Sequence, residues 1–167
     1  MTKTISYIGL GSNLDEPAQQ LSNAINALRN LSKTTLIACS SLYRSKALTS
    51  DNSVAPDYLN AVSAIETGLD AVTLLDELQA IEFSQGRRRD GKRWASRPLD
   101  LDILFYGDEA IDTERLTVPH PEICQRDFVL RPLVEIAPKL VIAGQGSVAS
   151  CLETCSKTIV EKLPCPV

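Results

Sequence analysis

Several residue types are scarce in this 167-residue chain, and each scarcity excludes a class of protein. The chain has a single histidine, His120, and its five cysteines include no Cys-x-x-Cys pair, so a zinc site is not expected. The odd number of cysteines is typical of free thiols in a reducing cytosol. A net charge of −4 argues against a general nucleic-acid binder, which usually presents a broadly basic surface.

Long apolar runs are also lacking. No stretch of the sequence approaches the roughly 20 apolar residues of a membrane span, and residues 1–10 lack the pattern of a signal peptide. With 44% hydrophobic and 23% charged residues, the composition is that of an ordinary globular protein. We therefore expect a single cytoplasmic domain, residues 1–167, that binds neither membrane nor nucleic acid.

Hydrophobic periodicity predicts strands that alternate with helices. The predicted strands are 4–10, 34–43, 58–67 and 99–106. Apolar residues at helical spacing predict helices over 18–31 and, after a capping Asp70, over 71–81. This order is that of a ferredoxin-like (split βαβ) α+β fold, an antiparallel sheet packed with helices. Residues 107–167 are expected to add a C-terminal helical extension, with a short helix over 128–136 and an amphipathic helix at the end.

Asp100 and Asp102 form the most informative pattern, because they lie two residues apart inside an apolar strand. Such residues point to the same face of a strand, about 6.6 Å apart. Residues 86–97, just before them, hold six of the 17 basic residues and one acidic residue. Arginine binds phosphate oxygens bidentately, and Mg²⁺ bridges carboxylates to phosphates. The pattern predicts a site for a phosphorylated substrate with its own metal, and a plain ion-pair network is the alternative.

Other candidate residues carry weaker signals. The Gly-x-Gly-Ser motif at residues 9–12 resembles half of a phosphate-binding loop, but no Gly-Lys-Ser/Thr follows, which favours a strand-to-helix turn. His120 stands between two prolines and is either structural or a hydrogen-bonding group at a ligand. Gln79 and Glu82 lie one helical turn apart, either on a solvated helix face or at a site.

Residues 93–104 resemble the signature of the 6-hydroxymethyl-7,8-dihydropterin pyrophosphokinase family. Other segments match the family in the same order along the chain: residues 7–14, 56–61, 79–82, 113–120 and 131–138. Several separated motifs in the right order make the resemblance specific. It implies a ferredoxin-like fold and a folate-pathway reaction in which the β,γ-pyrophosphoryl group of ATP passes to the hydroxymethyl oxygen of the pterin and AMP is released.

The resemblance also implies roles for individual residues, including two Mg²⁺ ions held by Asp100 and Asp102. The implied catalytic residues are Arg87, Arg93, Arg97, Asp100 and Asp102. Those implied for ATP binding are Gln79, Glu82, Arg89, Trp94, Ile103, Arg115, Thr117, His120 and Arg126. Those implied for pterin binding are Ser45, Leu48, Tyr58, Asn60, Trp94 and Phe128. From the residues alone, Tyr58 and Phe128 are core-packing aromatics by default, whereas by the resemblance they sandwich the pterin ring.

Two other classes of function stay open. A nucleotidyltransferase also combines Gly-Ser with a later Asp-x-Asp, and it would release pyrophosphate rather than AMP. A ferredoxin-like ligand-sensing or RNA-binding module could use the arginine-rich segment, although the net acidity and the lack of interleaved aromatic residues argue against it.

Since the chain lacks room for the other folate-pathway domains that are sometimes fused to this enzyme, we expect a stand-alone monomer whose partners are ATP and 6-hydroxymethyl-7,8-dihydropterin.

Overall fold

A computed structural model of the chain describes residues 2–13, 16–46, 57–85 and 99–165. Its strands are β1 (Thr4–Ser12), β2 (Thr34–Cys39), β3 (Leu42–Ser45), β4 (Tyr58–Thr67), β5 (Asp100–Tyr106), β6 (Ile111–Asp112), β7 (Thr117–Val118), β8 (Val141–Ile142), β9 (Gly146–Ser147) and β10 (Ile159–Leu163). Its helices are α1 (Pro17–Arg29), α2 (Ala71–Ser84), α3 (Asp127–Ile136) and α4 (Val148–Thr154), with a 3-10 helix at Ile123–Gln125. Within these ranges, none of the helices has the length and apolar character needed to cross a bilayer.

Among the described residues, the main sheet has six strands, in the order β10-β3-β4-β1-β5, with β2 also paired to β4. All of these pairs are antiparallel. The register places Gly11 of β1 between Asn60 of β4 and Asp100 of β5, and it places Gly9 opposite Asp102. Candidate site residues from three strands therefore lie side by side near the C-terminal end of β1.

Helices cover both faces of this sheet. On the first face, α1 and α2 pack on a core that includes Leu101 and Ile103 of β5. On the second face, α3 and α4 pack on a separate core that includes Leu104. Because side chains alternate along a strand, Asp100 and Asp102 point away from the first core and toward the second face. The alternation of this one strand thus separates a buried apolar face from a polar one.

Several sequence predictions are confirmed. Strand β4 has the predicted bounds, 58–67, and Asp70 caps α2. The Asp70 carboxylate accepts a hydrogen bond from the backbone N–H of Thr73 at 2.8 Å, and this bond lowers the pKa of Asp70. The helices predicted over 18–31 and 128–136 are α1 and α3. The coarse α+β architecture with an antiparallel sheet is that of the prediction.

Two secondary-structure predictions were wrong. Residues 34–43 contribute to two strands, β2 and β3, instead of one. At Ser40, between these two strands, the side-chain hydroxyl rather than a backbone carbonyl accepts the Val62 N–H at 2.9 Å, and this interrupts the strand pairing. The end of the chain was predicted to be an amphipathic helix, but α4 ends at Thr154 and the chain continues into β10, which pairs with β3. The C-terminal extension is therefore only partly helical, and it adds an edge strand to the main sheet.

Candidate active site

A cavity of about 600 Å³ lies on the second face of the sheet, between strands β1, β4 and β5 and the start of α3. Its lining includes many of the residues that the sequence analysis selected: Ser45, Tyr58, Asn60, Asp100, Asp102, His120, Arg126 and Phe128. The first and last of these residues lie more than 80 positions apart in the sequence, and the antiparallel sheet brings the set together. The structure therefore gathers both the expected pterin-binding and the expected nucleotide-binding residues around one space.

The two carboxylates project into this cavity from the beginning of β5. Asp100 is half-buried and Asp102 is exposed. Opposite them, Gly9 and Gly11 line the cavity from within β1. The Gly-x-Gly-Ser motif was predicted as a turn, but β1 continues through Ser12, so its glycines lie inside a strand. A Cβ atom at Gly11 would lie 3.1 Å from the side-chain oxygen of Asn60, and glycine leaves that oxygen room beside the strand.

The donor set at this position fits Mg²⁺ bound together with phosphates. Mg²⁺ is typically held by one or two carboxylates, with substrate phosphates and water completing its coordination. Asp100 and Asp102 supply such a carboxylate pair on one face of one strand. Across the described ranges, no group of three or more histidine, cysteine or acidic side chains could form a complete protein cage for a metal. The pair is therefore suited to a metal that arrives with a nucleotide.

His120 lies beside the carboxylates and also borders a second cavity of about 310 Å³. Its Nδ1 accepts a hydrogen bond from the backbone N–H of Glu122 at 3.2 Å. Burial lowers the pKa of His120, and the charge of Arg126 lowers it further, while Asp102 and Glu122 act in the opposite direction. The lowered pKa favours the neutral ring. Because Nδ1 accepts a hydrogen bond, the proton of the neutral ring is on Nε2, and His120 is a hydrogen-bond donor at the edge of the site.

The cavity has aromatic side chains on two elements. Tyr58 begins β4, and Phe128 follows the first residue of α3; both are half-buried. Phe128 also packs against the second core, so its position serves both core packing and the cavity wall. The guanidinium of Arg126 lies 5.8 Å from the centre of the Phe128 ring and is ion-paired with Glu122. The aromatic wall and the cationic wall thus meet at the beginning of α3.

Asn60 is buried in the cavity floor, with 7% of its surface exposed. Its side-chain N–H donates to the Ser45 hydroxyl oxygen at 3.0 Å. This bond fixes the amide plane and joins β4 to the end of β3. A fixed amide at the floor of the cavity can present donor and acceptor atoms to the polar edge of a flat ligand.

Gln79, Arg115 and Thr117 lie outside this lining, although the family resemblance implies that they bind ATP. Arg115 is ion-paired with Asp76 at 2.6 Å and donates to the Gln79 side-chain oxygen at 3.3 Å. Thr117 borders the second cavity, which it shares with His120. Arg115 and Gln79 are therefore in contact with each other, and Thr117 lies at the second cavity, with none of the three in the lining of the main cavity.

Ile103 and Glu82, also predicted to bind ATP, are both buried. Ile103 belongs to the first core. Only 4% of Glu82 is exposed, so the alternative of a solvated helix face was wrong for this residue. Its carboxylate accepts the backbone N–H of Leu101 at 2.8 Å, between the two aspartates. Glu82 therefore holds the beginning of β5 from α2.

Six of the predicted site residues lie outside the described residues, and their roles stay predictions. They are Leu48, Arg87, Arg89, Arg93, Trp94 and Arg97.

The cavity is also lined by polar residues that were not among the predicted site residues: Lys46, Glu122, Gln125 and Thr158. Thr158 carried no signal, because its segment was predicted to be helical. Glu122 and Gln125 lie between His120 and Arg126 in the sequence, and proximity to those residues was the available signal.

Comparison with known proteins identifies the family of the chain. The model of the 7,8-dihydro-6-hydroxymethylpterin-pyrophosphokinase (HPPK) family matches residues 7–138. The chain belongs to this family. It is 53% identical over 137 residues to the 2-amino-4-hydroxy-6-hydroxymethyldihydropteridine pyrophosphokinase of Haemophilus influenzae, covering 82% of this chain and 84% of that one. The Pseudomonas aeruginosa protein of the same name is 44% identical over 158 residues, covering 95% and 96% of the two chains.

Solved structures show the same fold. The wild-type Plasmodium falciparum HPPK-DHPS, crystallised with pterin and p-hydroxybenzoate, superimposes with a TM-score of 0.70 at 15% sequence identity. The alignment covers 92% of this chain and 42% of that longer chain. Within this chain, the HPPK match ends at residue 138, so among the cavity-lining residues of the described ranges Thr158 alone lies beyond it.

Proposed function

We propose that this chain catalyses the transfer of the β,γ-pyrophosphoryl group of ATP to the hydroxymethyl oxygen of 6-hydroxymethyl-7,8-dihydropterin in folate biosynthesis. The products are AMP and the pterin methyl diphosphate. Membership of the HPPK family supports the reaction. The geometry supports it through one observation: a carboxylate pair and an aromatic pair face the same cavity, which is large enough for a flat ring beside a triphosphate.

The pterin occupies the end of the cavity bounded by Tyr58 and Phe128. A flat heteroaromatic ring is stabilised by aromatic faces on both sides. The polar edge of that ring meets Asn60, whose amide is already oriented by Ser45. Because these residues are fixed by β3, β4 and α3 before a ligand binds, little ordering is needed when the pterin enters.

The triphosphate occupies the end bounded by Asp100 and Asp102. Two Mg²⁺ ions held by these carboxylates would neutralise charge on the phosphate oxygens. Arg126 and the Nε2–H of His120 provide a cation and a neutral donor along the same wall. Arg87, Arg93 and Arg97 are proposed to contact the phosphates, and Arg89 and Trp94 to contact the nucleotide; Trp94 and Leu48 complete the pterin side.

The chemistry is an in-line displacement at the β-phosphorus of ATP. The hydroxymethyl oxygen forms a new bond to phosphorus and loses its proton, while the bond to the α-phosphate oxygen breaks and AMP leaves. A hydroxymethyl group is a weak nucleophile, so most of the rate must come from alignment and charge neutralisation. The rigid sheet supplies the alignment, because the pterin-binding and carboxylate residues lie on neighbouring strands.

We also propose that the core is a ferredoxin-like split βαβ arrangement and that the chain works in the cytoplasm as a monomer. The antiparallel order β3-β4-β1-β5, with helices α1 and α2 in the two crossover connections, supports this topology. A cavity built from residues of a single chain supports a functional monomer.

Incubation of the protein with ATP, Mg²⁺ and the reduced pterin, followed by separation of the nucleotides, tests the reaction. Pterin-dependent formation of AMP with no free pyrophosphate is the expected result. Release of pyrophosphate would point to a nucleotidyltransferase instead. Binding of ATP with no turnover would point to a ligand-binding module, and either result would reject the proposal.

A further inference from the structure

Asp127 is a charged residue that the mechanism above does not use, although only 2% of its surface is exposed. It is the first residue of α3, between Arg126 and Phe128. Its carboxylate accepts hydrogen bonds from the Thr158 N–H at 2.7 Å, the Thr158 hydroxyl at 2.5 Å and the Ile159 N–H at 3.2 Å. Burying a carboxylate is costly unless such bonds compensate it. This arrangement therefore joins the start of α3 firmly to the start of β10.

The connection continues into the pterin side of the cavity. The Thr158 carbonyl accepts the backbone N–H of Lys46 at 3.2 Å, and β10 pairs with β3. Strand β3 ends at Ser45, whose hydroxyl accepts the Asn60 amide N–H. A continuous set of hydrogen bonds thus runs from Asp127 through Thr158 to the wall that carries Asn60.

We propose that Asp127 is a positioning residue for the pterin. It holds Phe128 on α3 at a fixed distance from the Ser45–Asn60 pair on the opposite wall. The inference rests on the proposed function, because it assumes that Phe128 and Asn60 contact the pterin. It extends the site beyond residue 138, where the match to the family model ends, to Thr158.

The nucleotide side has its own anchors. Arg126 is ion-paired with Glu122, and its backbone N–H donates to the Ile123 carbonyl at 3.2 Å. The Asp100 and Asp102 pair is held by β1. Loss of the Asp127 carboxylate should therefore affect the pterin much more than ATP.

Glu135, near the other end of α3, provides a matched control. Its carboxylate also accepts several hydrogen bonds, from the N–H of Ser41 at 3.1 Å and from the hydroxyls of Ser41 and Tyr43 at 3.0 and 2.5 Å. Ser41 precedes β3 and Tyr43 is its second residue, and neither lines the cavity. Asp127 and Glu135 thus tie the same helix to the same side of the sheet, but Asp127 alone does so at the cavity wall.

The test compares Asp127→Ala, Asp127→Asn and Glu135→Ala by steady-state kinetics and thermal unfolding. Asp127→Ala should raise the pterin KM about 10-fold, the effect of one lost charged hydrogen-bond group, with the ATP KM within about threefold of wild type. Asp127→Asn should restore the pterin KM, because the amide can accept the two backbone N–H groups and donate to the Thr158 hydroxyl oxygen. Glu135→Ala should lower Tm while leaving both KM values unchanged.

Equal increases in both KM values of Asp127→Ala, or the same pterin effect in Glu135→Ala, would reduce Asp127 to a general stabilising residue and overturn the inference. If Asp127→Ala does not fold, Thr158→Val removes one of the three bonds with little change in volume, and an unchanged pterin KM in that variant would overturn it. A wild-type protein that forms no AMP would reject the proposed function as well. An active wild type with an unchanged pterin KM in Asp127→Ala would reject this inference alone.

Discussion

The two faces of the main sheet differ in what they bury. Under α1 and α2 the core is aliphatic apart from Tyr106. Under α3 and α4 the packing is interrupted by the cavity, and polar groups such as Asn60 and Asp127 are buried beside it. Burial of apolar surface stabilises a fold at roughly 25 cal/mol per Å² with no directional requirement. Buried polar groups instead require specific partners. The first face therefore contributes mainly non-directional apolar packing, with the Glu82–Leu101 hydrogen bond as a specific polar contact, and the second face contributes most of the geometry of the site.

The largest effect should come from the carboxylates that face the cavity. Asp100→Ala and Asp102→Ala should each lower kcat by about 10³-fold or more, because charge neutralisation on the phosphates is lost. The fold should survive, since removing one of two neighbouring like charges relieves repulsion in the metal-free protein. Activity assays together with thermal unfolding measure both effects. Variants that are unfolded at room temperature, with the wild type folded, would instead support the ion-pair network.

The same substitution on each face tests the comparison directly. Leu28 on α1 and Leu130 on α3 are both fully buried, at 0% exposure. Leu28→Ala and Leu130→Ala should each reduce the free energy of unfolding by about 2–5 kcal/mol. Leu28→Ala should keep the wild-type KM for both substrates at a temperature where it is folded. Leu130→Ala should also raise the pterin KM, because Leu130 packs α3, the helix that carries Phe128, onto the second core. Equal KM values in the two variants would show that the faces are not functionally separate.

Substitutions at Tyr58 and Phe128 sharpen the comparison within the second face. Replacing either with Ala should weaken pterin binding about 10- to 100-fold, the range seen when a stacked base loses an aromatic partner. Phe128→Leu keeps apolar volume against the second core and controls for packing. ATP affinity should change only a few-fold in all three variants, as measured by calorimetric titration. An equal loss of ATP affinity would show that the aromatics are core residues that support the whole site.

The first face and the strand alternation were predictable, because they depend on consecutive residues. Strand 58–67 and the cap at Asp70 follow from local periodicity and local hydrogen bonding. The shared face of Asp100 and Asp102 follows from the period of a strand. What these features have in common is that the partners lie within a few residues of each other in the chain.

The second face was predicted less well, because its polar contacts join residues that are distant in the sequence. On this face Asp127 bonds to Thr158, 31 positions away. On the first face Glu82 of α2 bonds to Leu101, 19 positions away, and it was missed for the same reason. Strand β10 exists because the edge of β3 is available, and edge pairing of this kind depends on tertiary context more than on local propensity. The parts of the site that sequence reasoning missed are therefore those in which a polar group is buried by a partner from another element.

The smallest expected effect concerns His120, the only histidine of the chain. Burial and the charge of Arg126 lower its pKa in the folded protein below the ordinary value of about 6.5, although Asp102 and Glu122 oppose the shift. Between the lowered pKa and about 6.5, the unfolded chain binds more protons than the folded one. The contribution of His120 to the free energy of unfolding is therefore full above about pH 6.5, and it decreases as the pH falls through this window.

His120→Asn retains an acceptor for the Glu122 N–H but does not titrate. Urea unfolding of both proteins at pH 7.5, 6.5 and 5.5 should show wild type losing stability relative to the variant as the pH falls. Parallel profiles would show that the His120 ring is as well solvated in the folded protein as in the unfolded chain.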